Sequence, residues 1–195
     1  SDIINGYEEF KKKFVRKHNS SDFIDFINRD YLDNGRKMLV QKLHQAMFRE
    51  KIFTNIKNKK YIHLIQNKPR SGKSILMLLV CYDLLTVLKK KKILILTSVP
   101  STIKSFIEDL NKYDIFKNIN FLEQNDFMNI DEEFRGICFA SVQYLKNDNE
   151  KGYKKNKLKS LEFDTCIFDE SDFGSSTKKT VSDILAITTN INSQI

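Results

Sequence analysis

Three short, nearly unbroken apolar runs constrain this chain most: ILILTS at 93–98, GICFAS at 136–141 and the core of FDTCIFDE at 163–170. A strand with one face in water alternates apolar and polar side chains. A strand that is apolar at successive positions needs cover on both faces, which is the situation in a parallel sheet wrapped by helices. The segments between these runs supply the helices. SILMLLVCYDLLTVL at 74–88 is a long apolar helix, residues 101–112 a second, and SSTKKTVSDILAITTNI at 175–191 a third that begins with capping residues. YIHLIQ at 61–66 and INFLEQ at 119–124 are two more β-prone runs. Strand and helix therefore alternate over 61–191, and the expected fold is α/β, a doubly wound, mostly parallel sheet.

The N-terminal residues have a different texture. Ile3, Tyr7, Phe10, Phe14 and Val15 fall at helical spacing, Ser20 to Asp22 can cap a second short helix, and Asn34-Gly35 ends it. Residues 1–35 are thus expected to be a helical extension, and 36–195 the α/β lobe. From Arg36 to about Asn58, Met38, Leu39, Leu43, Met47, Phe48, Ile52 and Phe53 again fit one or two helices. Lys89 to Lys92 close the 74–88 helix at its negative end. The basic stretch NDNEKGYKKNKLKS, 147–160, reads as an exposed, mobile connection.

With 41% apolar and 30% charged side chains, the 195 residues carry too much Ile, Leu and Phe for a disordered chain. No run approaches the roughly 18 apolar residues of a membrane span, and the N-terminus lacks the pattern of a secretory leader. The expected setting is intracellular, in cytoplasm, a virus factory or a virion, without a membrane partner. Cys81, Cys138 and Cys166 sit singly within apolar runs, as core residues in a reducing compartment would. The net charge of +8 attracts polyanions but names none, since Lys, Ile and Asn are abundant throughout, as an AT-rich coding sequence would make them. His18, His44 and His63 lack metal-ligand spacing.

Chemistry concentrates at two loops. NKPRSGKS, 67–74, lies between a β-prone run and a helix, where a phosphate-binding loop ends in Gly-Lys-Ser. There, backbone N–H groups and a helix N-terminus surround an anion, and Gly72 can take conformations that a Cβ forbids. Lys73 meets the phosphates as a point charge, and Ser74 offers a hydroxyl to Mg²⁺. Asn67 stands where the leading glycine is usual, and asparagine tolerates left-handed backbone at such a loop entrance. Pro69 stiffens the loop, and Arg70 and Ser71 complete it. The second loop follows the strand CIF, where Asp169 can anchor the metal and Glu170 polarise a water, provided that the strand stops there. Ser171, Asp172 and Gly174 say that it does.

Taken together, these residues resemble the first RecA-like P-loop NTPase lobe of superfamily 2 helicases and translocases, in the branch containing the helicase subunits of type I and type III restriction enzymes and the helicases of large DNA viruses. NKPRSGKS resembles motif I, DESD resembles motif II, LTSVPSTIKSF (96–106) motif Ia, and FASVQYL (139–145) the later nucleic-acid-contacting motif of the same lobe. The resemblance covers about residues 36–195 and implies an ATP- and Mg²⁺-dependent motor acting on nucleic acid, DNA ahead of RNA.

It further implies that Pro100, Ser101, Thr102, Ser141 and Gln143 approach a phosphodiester backbone, and that Gln45, with Gln41 as runner-up, reads the adenine edge. Motif III is not evident. AITTN at 186–190 continues a helical pattern, and SQI at the end looks like the first residues of the missing strand. A second lobe, with its arginine fingers, is also lacking, so the chain is expected to be part of a longer protein. Two other classes remain open: a non-hydrolysing nucleic-acid-binding module with a degenerate loop, and a small-metabolite kinase, for which no lid or acceptor site is visible.

Overall fold

A computed structural model describes residues 35–65, 71–98, 100–130, 133–146, 153–169 and 193–194. The chain divides into two compact units, Ser1–Leu39 with Lys112–Ile115, and Val40–Asn111 with Phe116–Ile195. In the first, Lys37 forms a parallel bridge with Tyr113. The Lys37 N–H donates to the Lys112 carbonyl at 2.7 Å, and the Arg36 guanidinium to the Tyr113 carbonyl at 3.4 Å. The expected helices within 1–34 lie outside the described residues.

The second unit is the α/β lobe. Its sheet has five strands, β1 (Lys92–Thr97), β2 (Phe121–Glu123), β3 (Gly136–Ser141), β4 (Thr165–Phe168) and β5 (Ser193–Gln194), in the order β2-β3-β1-β4-β5. Every pair is parallel, with Lys92 opposite Gly136 and Ile93 opposite Thr165 in register. β1 is central, and the chain runs out to β2, back to β3, then across β1 to β4. The apolar runs at 93–98, 136–141 and 163–170 become the three inner strands, and Ile93, Leu94, Ile95, Ile137, Cys138, Phe139 and Cys166 are fully buried. The terminal SQ pairs with β4. Gly136 is required by a close approach, because a Cβ there would sit 2.2 Å from the Asn120 carbonyl oxygen, which accepts from the Ile137 N–H.

Helices cover both faces, α1 (Leu43–Lys57), α2 (Lys73–Thr86), α3 (Pro100–Lys112), α4 (Val142–Lys146) and α5 (Tyr153–Ser160). On one face Leu94, Leu96, Cys138, Ala140 and Cys166 pack with Leu145, Leu158, Leu161 and Phe163. On the other, Phe139 meets Phe106 of α3 at 5.6 Å between centroids and Phe121 at 6.4 Å, edge-on. Phe139→Ala removes the centre of that stack and leaves a cavity, so it is expected to cost about 3–5 kcal/mol in chemical denaturation. A loss below about 1 kcal/mol would mean that the face is not packed in this way. Burial raises all three thiol pKa values, that of Cys138 to about 12, consistent with cysteines that serve as core hydrophobes.

α1 lies along α2, where Ile52, Phe53 and Ile56 of α1 and Val80 and Leu84 of α2 line a shared apolar cleft. Arg49 Nε and Nη2 donate to the two carboxylate oxygens of Asp83 at 2.5 and 2.6 Å. That hydrogen bonding raises the Arg49 pKa above its ordinary value, against an opposing effect of burial.

Two segments differ from expectation. Residues 36–42 are not helical, and the helix read over 36–58 starts at Leu43. Residues 61–65 form no ladder strand among the described residues; Ile62 makes an isolated bridge and, like Leu64, is over 75% exposed, at 80% and 87%. The basic stretch 147–160 is also corrected. Its second half is α5, anchored by a fully buried Leu158. One leucine among lysines produces no amphipathic stripe, so the period argument could not detect it. No helix among the described residues is long and apolar enough to cross a membrane.

Candidate nucleotide and nucleic-acid site

In a parallel sheet the ligand crevice opens at the carboxyl ends of the strands. Gly72 is the N-cap residue of α2, with φ +85° and ψ 38°, a left-handed conformation. It turns the chain so that Lys73 and Ser74 open the helix. Asp169 follows directly on β4, and its N–H donates to the Leu96 carbonyl of β1 at 2.9 Å, which fixes the residue at the strand end.

These two anchors bring Lys73 Nζ to 2.7 Å from Asp169 Oδ1. The Asp169 side chain is 6% exposed and that of Lys73 35%. Oδ1 is buried and held by this ion pair. Ser71 Oγ is buried and makes no hydrogen bond among the described residues. Buried oxygens left unsatisfied are uncommon and costly, and Ser71 Oγ sits beside a left-handed turn and a helix N-terminus. The oxygen donors Asp169 and Ser74, with a lysine between them, fit a hard divalent cation carried by a polyphosphate. Asn67, Pro69, Arg70 and Glu170 lie outside the described residues.

The loop is held from behind by two α1 residues. Gln45, 3% exposed, donates from Nε2 to the Gly72 carbonyl at 2.9 Å and accepts the Lys42 N–H on Oε1 at 2.8 Å. His44 Nε2 lies 3.0 Å from the Ser71 carbonyl. Gln45 is therefore taken up by main chain at both ends of its amide. Gln41 sits apart, accepting from Arg49 at 3.4 Å. Sequence reasoning missed His44 as a loop contact, because nothing local marks a hydrogen bond spanning 27 residues.

The residues of the nucleic-acid expectation split. Pro100, Ser101 and Gln143 are exposed and Thr102 partly so, at the start of α3 and in the first turn of α4, all on the carboxyl side of the sheet. Ser141 is different. It is fully buried, its N–H and Oγ both donate to Gln124 Oε1 at 2.9 and 3.0 Å, and its Oγ accepts the Tyr144 N–H at 3.0 Å. A hydroxyl engaged in capping α4 and tying it to Gln124 does not reach solvent in this conformation, so its side chain serves the fold.

Fold and site define a RecA-like lobe of the superfamily 2 helicase type. Residues 38–191 match the family described as type III restriction enzyme, res subunit, and the chain belongs to that family. It is similar to a putative type II restriction enzyme and methyltransferase of Mycoplasma pneumoniae, 30% identical over 134 residues, which covers 60% of this chain and 17% of that protein. Two solved structures share the fold. One is the Sulfolobus solfataricus SWI2/SNF2 ATPase core in complex with dsDNA, with a TM-score of 0.66, 17% identity, and coverage of 80% of this chain and 31% of that one. The other is the UvsW helicase from bacteriophage T4, with a TM-score of 0.56, 16% identity, and coverage of 98% and 68%. The chain thus spans about a sixth of the curated relative's length.

Proposed function

We propose that this chain is the ATP-binding lobe of an ATP-dependent nucleic-acid helicase or translocase, working with a second RecA-like lobe. The observation that carries the reading is the meeting of Lys73 with Asp169 beside left-handed Gly72 at the carboxyl end of the sheet. In this reading Lys73 leaves Asp169 to hold the phosphates, and Asp169 and Ser74 hold Mg²⁺, which when bound neutralises phosphate charge. The loop from Asn67 to Ser74 wraps the phosphates, and Glu170 orients the attacking water. Gln45 carries the loop's backbone, and reading an adenine edge would require it to release Gly72. Pro100, Ser101, Thr102 and Gln143 face the nucleic-acid backbone, DNA ahead of RNA.

Phosphoryl transfer depends on positioning and charge stabilisation, and an arginine finger is worth on the order of 10³ to 10⁵ in rate. The lobe alone should therefore turn over ATP very slowly. The test is an ATPase assay, with and without DNA or RNA, on the protein that carries both lobes. Glu170→Gln is expected to abolish hydrolysis while sparing ATP binding. A fully active variant would remove Glu170 from the mechanism, and a wild-type protein that binds nucleic acid without any turnover would favour the non-hydrolysing module.

A further inference from the structure

The end of the sheet opposite Lys73 and Asp169 gathers positive charge. Lys89 and Lys91 are exposed in the connection from α2 to β1. Lys92 stands opposite Gly136 in register, and the Gly136 N–H donates to the Lys91 carbonyl at 2.8 Å. Exposed Arg135 therefore lies about one strand spacing, roughly 4.8 Å, from the lysine run. Lys159, also exposed, closes α5 on the approach to β4. The described acids here are Glu133, Glu162 and Asp164, fewer than the cations. Asp164 is turned onto main chain, its Oδ2 accepting the N–H groups of Lys91 and Lys92 at 2.6 and 3.2 Å. A six-residue strand is roughly 20 Å long, which sets the distance from this edge to the nucleotide crevice.

We propose that this edge is a second nucleic-acid contact, in which Lys89, Lys91, Arg135 and Lys159 hold the phosphate backbone of a DNA segment lying outside the groove served by the carboxyl face. Duplex DNA presents one negative charge per about 1.7 Å of axis, and flexible cations on adjacent strand starts can meet such a row without reading sequence. These residues flank strand starts fixed by main-chain hydrogen bonds, away from the loop that a nucleotide would rearrange. The contact is therefore independent of nucleotide state. The inference rests on the functional reading above only for the identity of the polyanion.

The test is fluorescence anisotropy with a labelled DNA duplex over a salt series, comparing wild type, Lys89→Gln/Lys91→Gln/Arg135→Gln, and a control that removes an exposed charge from the middle of α1, Lys51→Gln. Each lost phosphate contact lowers the slope of log affinity on log salt by about 0.9, so the edge variant is expected to lose about 2–3 units of slope and the control less than about 1. Both variants should keep the wild-type response to ATP. An unchanged slope in the edge variant, or an equal loss in the control, overturns the proposal while leaving the motor reading intact. A wild-type protein that binds no DNA at low salt would overturn both.

Discussion

Lys73→Ala is expected to weaken Mg-ATP binding by about 30- to 1,000-fold, roughly 2–4 kcal/mol, because a charge that meets phosphate in a partly desolvated crevice has no substitute there. The 2.7 Å pair with Asp169 gives the site a sharper signature than loss alone. The ammonium of Lys73 sits on the carboxylate that we propose holds the metal, so nucleotide binding in that reading includes the cost of parting them. Asp169→Asn removes that competitor and the metal anchor together. Metal-free ATP is therefore expected to bind Asp169→Asn more tightly than wild type, while Mg-ATP binds it more weakly. Paired titrations with and without Mg²⁺ read both signs, and a variant weakened equally in the two conditions would show that Lys73 and Asp169 do not exchange partners.

Gly72→Ala should be nearly as damaging. At φ +85° a Cβ costs about 1–2 kcal/mol on conformation alone, and here it would also stand 2.6 Å from Gln45 Nε2. Gln45 would have to give up the Gly72 carbonyl, leaving buried polar groups unpaired at about 1–3 kcal/mol. Mg-ATP affinity is expected to fall at least about tenfold, with a drop of several degrees in the melting midpoint. Adding Gln45→Ala removes the collision and not the backbone strain, so the double variant should recover part of the lost affinity. Two losses that simply add would mean that Gln45 and the loop act independently.

What the amino-acid sequence discloses here follows the reach of its signals. β3 occupies the run GICFAS at 136–141 because a strand buried on both faces is written as consecutive apolar residues. The meeting of Lys73 with Asp169 was legible because Gly-Lys-Ser before an apolar helix and a carboxylate at a strand end each carry a local spacing, and parallel topology then places both at the same end of the sheet. The supports behind them were not legible. His44 and Gln45 reach Ser71 and Gly72 across 27 residues, and Gln124 reaches Ser141 across 17, and such pairings exist only once the fold is built. Ser141 illustrates the cost of reading a residue by type. A serine at a strand end suits a phosphate contact and a helix cap equally, and here the hydroxyl accepts from the Tyr144 N–H and donates to the Gln124 amide oxygen. α5 was missed for the opposite reason, since among its described side chains Leu158 alone is buried.

In the proposed mechanism Lys73 and Asp169, paired in the structure, part to accept a metal-bound triphosphate. Isothermal titration of the wild-type chain with ATP, first in Mg²⁺ and then after chelation, tests it most directly. The expected result is a single site whose affinity falls sharply on chelation. Absence of binding up to millimolar ATP, or binding of equal strength with and without the metal, would contradict it.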